Sequence, residues 1–257
     1  MKKLVLLSAV MISWTSFGQS WTSLGDIPAP YWGRNHPMTF SIDGYGYVVT
    51  GGGASYYDDF WKFDPDLETW EQLDDFPGPP RGFGYGVENN GLGYAGFGVE
   101  DDGAPTVFDD WYSYDPVSET WTTLASCPCE ARFHPAMVAT GDKIYVGLGA
   151  NFSGDLQDWW EYDIATDSWT ERQIFPASER HHPYMFGLDG KAYVGLGHHL
   201  SEIYNDFYMY DPATDTWSAI ADLPAEGRVA GTQFSYGGKG YVLSGQGEDH
   251  DYMADGE

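Results

Sequence analysis

A tryptophan recurs along the chain at an almost constant interval. The steps between successive members are 49, 51, 48 and 48 residues, and the series is Trp21, Trp70, Trp121, Trp169 and Trp217. The same Asp-aromatic stretch precedes each of the last four, as in Asp206 to Trp217. A fixed period of this length is the signature of a repeat architecture, in which each unit buries its apolar face against the next one. We therefore expect an array of one supersecondary unit.

Short apolar runs alternate with turn residues inside each repeat. Tight-turn dipeptides occur once in each repeat, at Asp43-Gly44, Asn90-Gly91, Gly141-Asp142, Asp189-Gly190 and Gly237-Gly238. Such dipeptides supply the positive φ angles that two-residue hairpin loops require. The pattern predicts four short antiparallel strands per repeat, here named a to d in chain order. Four-stranded sheets repeated in this way are the blades of a β-propeller.

The residues of the repeat resemble those of the kelch family. The shared order is an arginine, an apolar strand, paired glycines, a Tyr-Asp-Pro strand and a tryptophan, and it extends from residue 21 to about 247. The glycines depart from the family pattern, because only Gly51-Gly52 is a doublet and the other repeats read Gly-x-Gly. The resemblance implies an all-β propeller over residues 19–257. We expect four complete blades and a partial fifth in an open or truncated ring, with residues 21–24 as an extra d strand.

The first 18 residues have the features of a secretory signal peptide. Lys2 and Lys3 precede an apolar stretch over residues 4–12, and Ser16 and Gly18 suit a cleavage site. The Phe-Gly-Gln end is similar to those of exported proteins of Bacteroidetes. We therefore expect a secreted protein, located outside the cell, on its surface or in the periplasm.

The charge of the chain excludes two classes of partner. The formal net charge is −27, and loss of residues 1–18 removes two lysines and no acid, which gives −29. Nucleic acids and anionic lipids both require basic surface, so neither is an expected partner. No stretch after the leader suits a membrane span. Cys127 and Cys129 align with apolar and small residues of the other repeats, which favours packing roles over a redox pair or zinc site.

Five arginines occupy one repeated position, just before strand a: Arg34, Arg81, Arg132, Arg180 and Arg228. Successive strands of a blade run in opposite directions, so the d–a links lie on the same face as the b–c loops. This face carries the arginine position, and its b–c loops vary in length between repeats. Such a ring could hold a carboxylate or sulfate through bidentate hydrogen bonds. The alternative is that each arginine ties its blade to an acid or carbonyl of a neighbour, and repetition in every blade favours this alternative.

Three histidines follow these arginines in an Arg-x-His-Pro motif. They are His36, His134 and His182, and the second repeat has Phe83 at their position. Converging histidines could bind a transition metal. The three belong to blades that are not all adjacent, so we expect the distances between them to exceed ligand reach. A structural role is the favoured interpretation.

The b–c loops are the remaining candidate site. They carry aromatic rings, including Tyr56 and Tyr57, together with acids and amides, a composition that suits sugars. Plain solvated loop is the simpler interpretation, since loops are polar by default. No cofactor is expected, with Ca²⁺ as the alternative because clustered acids supply its oxygen ligands.

The sequence contains no nucleophile elbow, phosphate loop or zinc-protease motif. We therefore expect a binding module for a glycan or a protein more than an enzyme. A more distant resemblance to the sialic acid mutarotases and to the central domain of galactose oxidases implies a second hypothesis, a sugar isomerase that holds an acidic sugar with Arg132 or Arg180. A structural or adhesive surface module is the third.

Overall fold

The computed structural model describes residues 23–28, 33–100 and 103–247. Strands, turns and irregular links make up these ranges, and none of their residues belongs to a helix that could span a membrane. The predicted signal peptide and Trp21 lie outside the described residues.

Four antiparallel sheets of four strands each follow one another along the chain. Blade I contains β1 (Met38–Ile42), β2 (Tyr45–Gly52), β3 (Tyr56–Asp64) and β4 (Thr69–Leu73). Blade II contains β5 (Tyr85–Asn89), β6 (Leu92–Gly96), β9 (Trp111–Asp115) and β10 (Thr120–Leu124). Blade III contains β11 (Ala136–Thr140), β12 (Lys143–Gly147), β15 (Trp159–Asp163) and β16 (Ser168–Glu171). Blade IV contains β17 (Tyr184–Leu188), β18 (Lys191–Gly195), β21 (Phe207–Asp211) and β22 (Thr216–Ala219).

A fifth sheet is present in part. Strands β23 (Thr232–Tyr236) and β24 (Lys239–Leu243) pair as a two-stranded sheet, which is the a–b half of blade V. Four complete blades and a partial fifth confirm the architecture that the repeats predict. Ser23 and Leu24 are not in a strand, but the Trp70 indole donates to the Gly25 carbonyl at 2.8 Å. This segment thus contacts blade I where the d strand of a preceding blade would lie.

Three of the b–c loops contain short hairpins that the sequence did not predict. They are β7 (Val99–Glu100) with β8 (Thr106–Val107), β13 (Ala150–Asn151) with β14 (Gly154–Asp155), and β19 (His198–His199) with β20 (Glu202–Ile203). In blade I the equivalent pairing extends β2 and β3 themselves, after a bulge between Val49 and Gly51. Two-residue strands have no period-2 pattern to read, so sequence inspection treats them as loop.

The repeated tryptophans join adjacent blades. The ring of Trp217 in β22 lies 5.1 Å from that of Trp159 in the preceding blade, and Trp121 lies 5.1 Å from Phe60 in the same way. The Trp217 indole also donates to the Gln173 carbonyl of blade III at 2.9 Å. Large aromatic side chains bury much apolar area per residue, so one tryptophan per repeat supplies much of each interface.

The hydrogen bonds between blades show which glycine of the Gly51-Gly52 doublet corresponds to the second glycine of the Gly-x-Gly repeats. The N–H of Gly51 donates to the Arg81 carbonyl at 2.8 Å, and those of Gly98, Gly149 and Gly197 make the same bond to the next arginine. The residue before each adopts a left-handed conformation, with φ of 61° at Thr50. Gly51 is therefore the equivalent of Gly98, and Gly245, which follows left-handed Ser244, is its equivalent in blade V. The glycine pattern alone could not give this correspondence between repeats, because the left-handed residue before each of these glycines is not itself a glycine.

The two cysteines are joined by a disulfide. Cys127 and Cys129 are both buried and pack in the core between blades II and III, as their alignment with apolar and small residues predicts. The predicted packing role is therefore only part of their function in the fold, because the two cysteines also form a disulfide with each other.

Candidate functional site at the loop face

The d–a links and the b–c hairpins meet on one face of the propeller. A single backbone bridge joins them in every blade: Asn35 to Gly52, Gly82 to Val99, Phe133 to Ala150, His181 to His198, and Val229 to Gln246. This arrangement confirms the strand parity inferred from the sequence. The shared surface is called the loop face below.

The five arginines are buried beneath this face. Arg81, Arg132 and Arg180 are fully buried, and the Arg34 and Arg228 side chains are almost so. The Arg132 guanidinium donates to both carboxylate oxygens of Asp158, at 2.6 and 2.7 Å, and to the Leu148 carbonyl at 3.0 Å. Three equivalent pairs repeat this contact: Arg34 with Asp59, Arg81 with Asp110, and Arg180 with Asp206.

This geometry corrects the predicted roles of the arginines. Each aspartate belongs to the arginine's own blade, so the pair does not reach a neighbouring blade. Asp59 lies within strand c, and the other three directly precede it: Asp110, Asp158 and Asp206. The tie to the neighbour is made by the backbone, because the arginine carbonyl accepts the glycine N–H of the preceding blade. A carboxylate ligand would have to displace an aspartate that already forms a bidentate pair.

The residue two positions after each arginine lies close to the propeller axis. These axial residues are His36, Phe83, His134, His182 and Ala230, and all have φ between 48° and 66°. The Phe83 N–H donates to the His36 carbonyl at 3.0 Å, and the His134 N–H donates to the Phe83 carbonyl at 2.8 Å. Non-glycine residues hold this conformation only where surrounding structure enforces it, and here a backbone chain does so.

The axial histidines converge, contrary to the expectation from the sequence. The His134 and His182 ring centroids are 3.5 Å apart, and that of His36 lies 5.0 Å from His134 and 5.8 Å from His182. One ring nitrogen from each of the three lies within 4.8 Å of the other two. The prediction that they are too far apart is wrong because the d–a links of different blades all turn inward at the axis, where only side chains separate them.

Burial keeps these imidazoles neutral at pH 7. Desolvation holds the pKa of His134 well below its ordinary value, and neighbouring histidines lower it further. The same two causes lower the pKa of His182 to about 2. Burial also lowers the pKa of His36. Within the described residues neither ring nitrogen of His134 has a hydrogen-bond partner, although the residue is only 6% exposed.

A second group of histidines adjoins the first. His181 and His198 face each other with ring centroids 3.9 Å apart, and His182 belongs to both groups. Asp155 accepts hydrogen bonds from His181 Nδ1 at 2.6 Å and from His199 Nδ1 at 2.8 Å. Six of the seven histidines of the chain thus lie at or beside the axis on the loop face.

Four of these rings, those of His36, His134, His182 and His198, line a central cavity of about 970 Å³. Its wall includes the axial residues, Tyr85 on blade II, and Thr232, Gln233 and Gln246 on blade V. Ligand sites of proteins are typically concave, aromatic and equipped with a few polar groups, and this cavity has that character. Among the described residues that line the cavity there is no arginine.

The two tyrosines have different surroundings. Tyr57 lies beneath the Arg34 guanidinium, 4.9 Å from ring centroid to Cζ, and so belongs to the arginine layer. Tyr56 lines a smaller pocket of about 180 Å³ together with Phe83. Within the described ranges, the groups of three or more candidate metal ligands consist of histidines. Ca²⁺ binding by loop acids stays a prediction, and Asp101 and Asp102 lie outside the described residues.

Sequence reasoning missed His181 and the joint role of Asp155. A usable signal exists in the repeat register, because both tandem pairs directly follow a repeated motif residue. His181-His182 follows Arg180, and His198-His199 follows Gly197. His182 and His198 are 16 residues apart, as are Arg180 and Leu196, whose carbonyl accepts the Arg180 hydrogen bond. The repeat spacing that brings Arg180 to Leu196 therefore also brings His182 to His198.

Comparison with known proteins agrees with the propeller fold. The family model described as the KLHDC2/KLHL20/DRC7 Kelch-repeats domain matches residues 93–245, which is more than half of the chain. N-acetylneuraminate epimerase of Shigella sonnei is 28% identical over 156 residues, covering 59% of this chain and 40% of the relative. The enzyme of the same name from Salmonella arizonae is 36% identical over 128 residues, covering 47% and 31%. The matched region therefore spans less than half the length of these relatives.

A solved structure, described as "Structure of YjhT", shares the fold. It superposes with a TM-score of 0.79 at 16% identity, over 92% of this chain and 83% of the other. At this identity the likeness concerns the fold alone. Together with the family match over the described blades, it shows that the chain belongs to the kelch-repeat family of β-propellers.

Proposed function

We propose that this chain is an exported kelch-repeat binding module and that the central cavity of its loop face takes a neutral glycan. The observation that carries the proposal is the cavity of about 970 Å³, lined by histidine rings, Phe83 and Tyr85. Aromatic faces stack on the apolar faces of sugar rings, and imidazole and amide groups hydrogen-bond to hydroxyls. The volume lies within the range typical of small-molecule sites.

Charge favours a neutral ligand over an acidic one. The net charge of the chain is −27, and the arginine side chains nearest the axis are buried in pairs with aspartates. The imidazoles are neutral because burial lowers the pKa of His134 and His182. An anion entering the cavity would therefore meet no mobile cation among the lining residues.

Thermal unfolding of residues 19–257 against a panel of neutral and acidic glycans tests this proposal. A ligand that binds the native state raises the midpoint by mass action. We expect Phe83→Ala to weaken the binding of a neutral glycan about tenfold through loss of stacking. Ala230 holds the equivalent left-handed position, so the backbone accepts alanine there.

Phe152→Ala is the matched control, because Phe152 is an exposed aromatic residue of the same face that does not line the cavity. Its affinity should equal that of the wild type. A midpoint that no neutral glycan moves, or equal losses in both variants, would contradict the proposal.

The similarity to N-acetylneuraminate epimerases favours a second candidate, a sugar isomerase acting on an acidic sugar. This activity would require Arg132 or Arg180 to leave its aspartate and bind the sugar carboxylate. The test is nuclear magnetic resonance exchange spectroscopy of the N-acetylneuraminate anomers. Exchange above the uncatalysed rate would establish the enzyme and replace the binding-only proposal, whereas an unchanged rate would remove this candidate.

A further inference from the structure

Two tandem histidine pairs face each other across the edge of the cavity. The His181 N–H donates to the His198 carbonyl and the His198 N–H donates to the His181 carbonyl, both at 3.1 Å. This reciprocal bridge fixes the backbone of the d–a link against hairpin β19–β20 of the same blade. The side chains that start from it therefore begin from defined positions.

The ring nitrogens on this bridge have the spacing of metal ligands. One nitrogen from each of His181, His182 and His198 lies within 4.8 Å of the other two. His182 Nδ1 and His198 Nε2 are 3.3 Å apart. Two imidazoles on a tetrahedral Zn²⁺ are separated by about 3.3 Å, because each Zn–N bond is about 2.0–2.1 Å long.

Two further contacts orient the rings in the manner of a metal site. The His181 Nδ1–H donates to Asp155 Oδ1 at 2.6 Å, which leaves Nε2 with a lone pair. The Leu200 carbonyl, 3.3 Å away, accepts the His198 Nδ1–H in the same way. Carboxylates and carbonyls that hold the second ring nitrogen are the usual partners of metal-ligating histidines, since they fix the tautomer and ring orientation.

We propose that His181, His182 and His198 bind a divalent transition metal such as Zn²⁺. Imidazole nitrogens suit zinc, copper, nickel and iron, whereas Ca²⁺ and Mg²⁺ prefer oxygen ligands. Three protein ligands leave a coordination position for a ligand in the cavity, which His182 and His198 also line. The inference goes beyond the proposed glycan binding and does not depend on it.

The neighbouring group of His36, His134 and His182 is the competing location. Among the described residues, the hydrogen-bond contact of His36 Nδ1 is with the exposed Asn35 side chain, at 3.3 Å, and His134 has no hydrogen-bond partner. No carboxylate of the described ranges bonds to these rings, so they lack the support that Asp155 gives to His181. The test therefore uses variants that remove a ligand from one histidine group and leave the other group intact.

Calorimetric titration of the untagged, metal-free chain with Zn²⁺ tests the proposal, with no sugar present. We expect one ion per chain and loss of this binding in His181→Ala and in His198→Ala. Asp155→Asn should weaken binding about 10- to 100-fold while retaining all three ligands. His36→Ala is the matched control from the competing group and should bind like the wild type.

Wild-type spectra provide a second readout that needs no variant to fold. On addition of Zn²⁺, the ring ¹⁵N resonances of His181, His182 and His198 should shift, and Co²⁺ should give the intense visible absorption of a tetrahedral site. The proposal is overturned if no ion binds, if His198→Ala binds normally, or if only His36→Ala abolishes binding. Because the titration contains no glycan, its failure would leave the glycan proposal untouched.

Discussion

At the scale of single residues, the repeated arginine performs two structural tasks at once. Its side chain joins the start of strand a to the start of strand c within one blade, as Arg132 does with Asp158. Its backbone carbonyl accepts an N–H from the preceding blade. The side chain is fully buried, so the aspartate compensates a charge that would otherwise be desolvated without a partner.

Removing that partner should be costly. We expect Asp158→Asn to lower the free energy of unfolding by about 3 kcal/mol, because the Arg132 guanidinium stays buried without its counter-charge. The partial exposure of Asp158 places the effect at the lower end of the range for broken buried pairs. Urea denaturation followed by tryptophan fluorescence measures it.

Glu71→Gln provides the control for this measurement. Glu71 pairs with Lys62 at 3.7 Å, and its side chain is 63% exposed. Exposed pairs contribute less than about 1 kcal/mol, so the midpoint should hardly move. Equal losses in the two variants would mean that burial of the arginine does not determine the effect.

At the scale of elements, sequence and structure agree where local chemistry sets the backbone. The dipeptides at Asp43-Gly44 and Asn90-Gly91 form the predicted hairpin turns, with positive φ at each of these residues. The agreement ends at the axis, where Phe83 and His134 adopt left-handed φ although neither is a turn residue. Their conformation comes from hydrogen bonds between links of adjacent blades, which no local pattern encodes. For the same reason the convergence of the histidines could not be predicted from spacing.

The c–d turns show a second contact between elements. Asp215 Oδ1 accepts the Gln173 N–H of the preceding blade at 3.0 Å and the Tyr210 hydroxyl of its own blade at 2.7 Å. Asp167 makes the same pair of bonds with Ala125 and Tyr162. Glu119 holds the equivalent position in blade II, and no side-chain hydrogen bond of Glu119 occurs within the described part of the chain. Its longer side chain does not reproduce the aspartate contact.

Glycine substitutions at Asp215 and Glu119 should differ in their effect on stability. Asp215→Gly removes both bonds and leaves the buried Tyr210 hydroxyl without its acceptor, so we expect a loss of about 1–3 kcal/mol. Glu119→Gly removes no such bond and relieves a left-handed non-glycine residue with φ of 54°, so stability should be unchanged or up to about 1 kcal/mol higher. Thermal melts of both variants compare them directly, and a destabilised Glu119→Gly would refute the distinction.

At the scale of the whole molecule, the sheets of the described blades pack in series, and the axial histidines add contacts between non-adjacent blades, such as that of His36 with His134. Inner strands β1, β5, β11, β17 and β23 pack in that order around the axis. In such arrays stability is approximately the sum of the stability of each unit and of its interfaces. Blades II and III have a complete blade on both sides, whereas the two strands of blade V pack on blade IV alone among the described residues. Phe234 and Tyr236 of blade V are accordingly exposed.

Hydrogen exchange should reveal this gradient along the chain. Amides of β23 and β24 should exchange at least about tenfold faster than those of β11 and β12, a difference of about 1.4 kcal/mol in opening free energy. Strands β11 and β12 are the internal reference, because they are the same a–b hairpin with neighbours on both sides. Mass spectrometry of peptides from the exchanged 257-residue chain resolves the two segments. Equal protection would imply that the intrinsic stability of the hairpin, and not its interfaces, determines how each blade opens, and the additive description of the propeller would then fail.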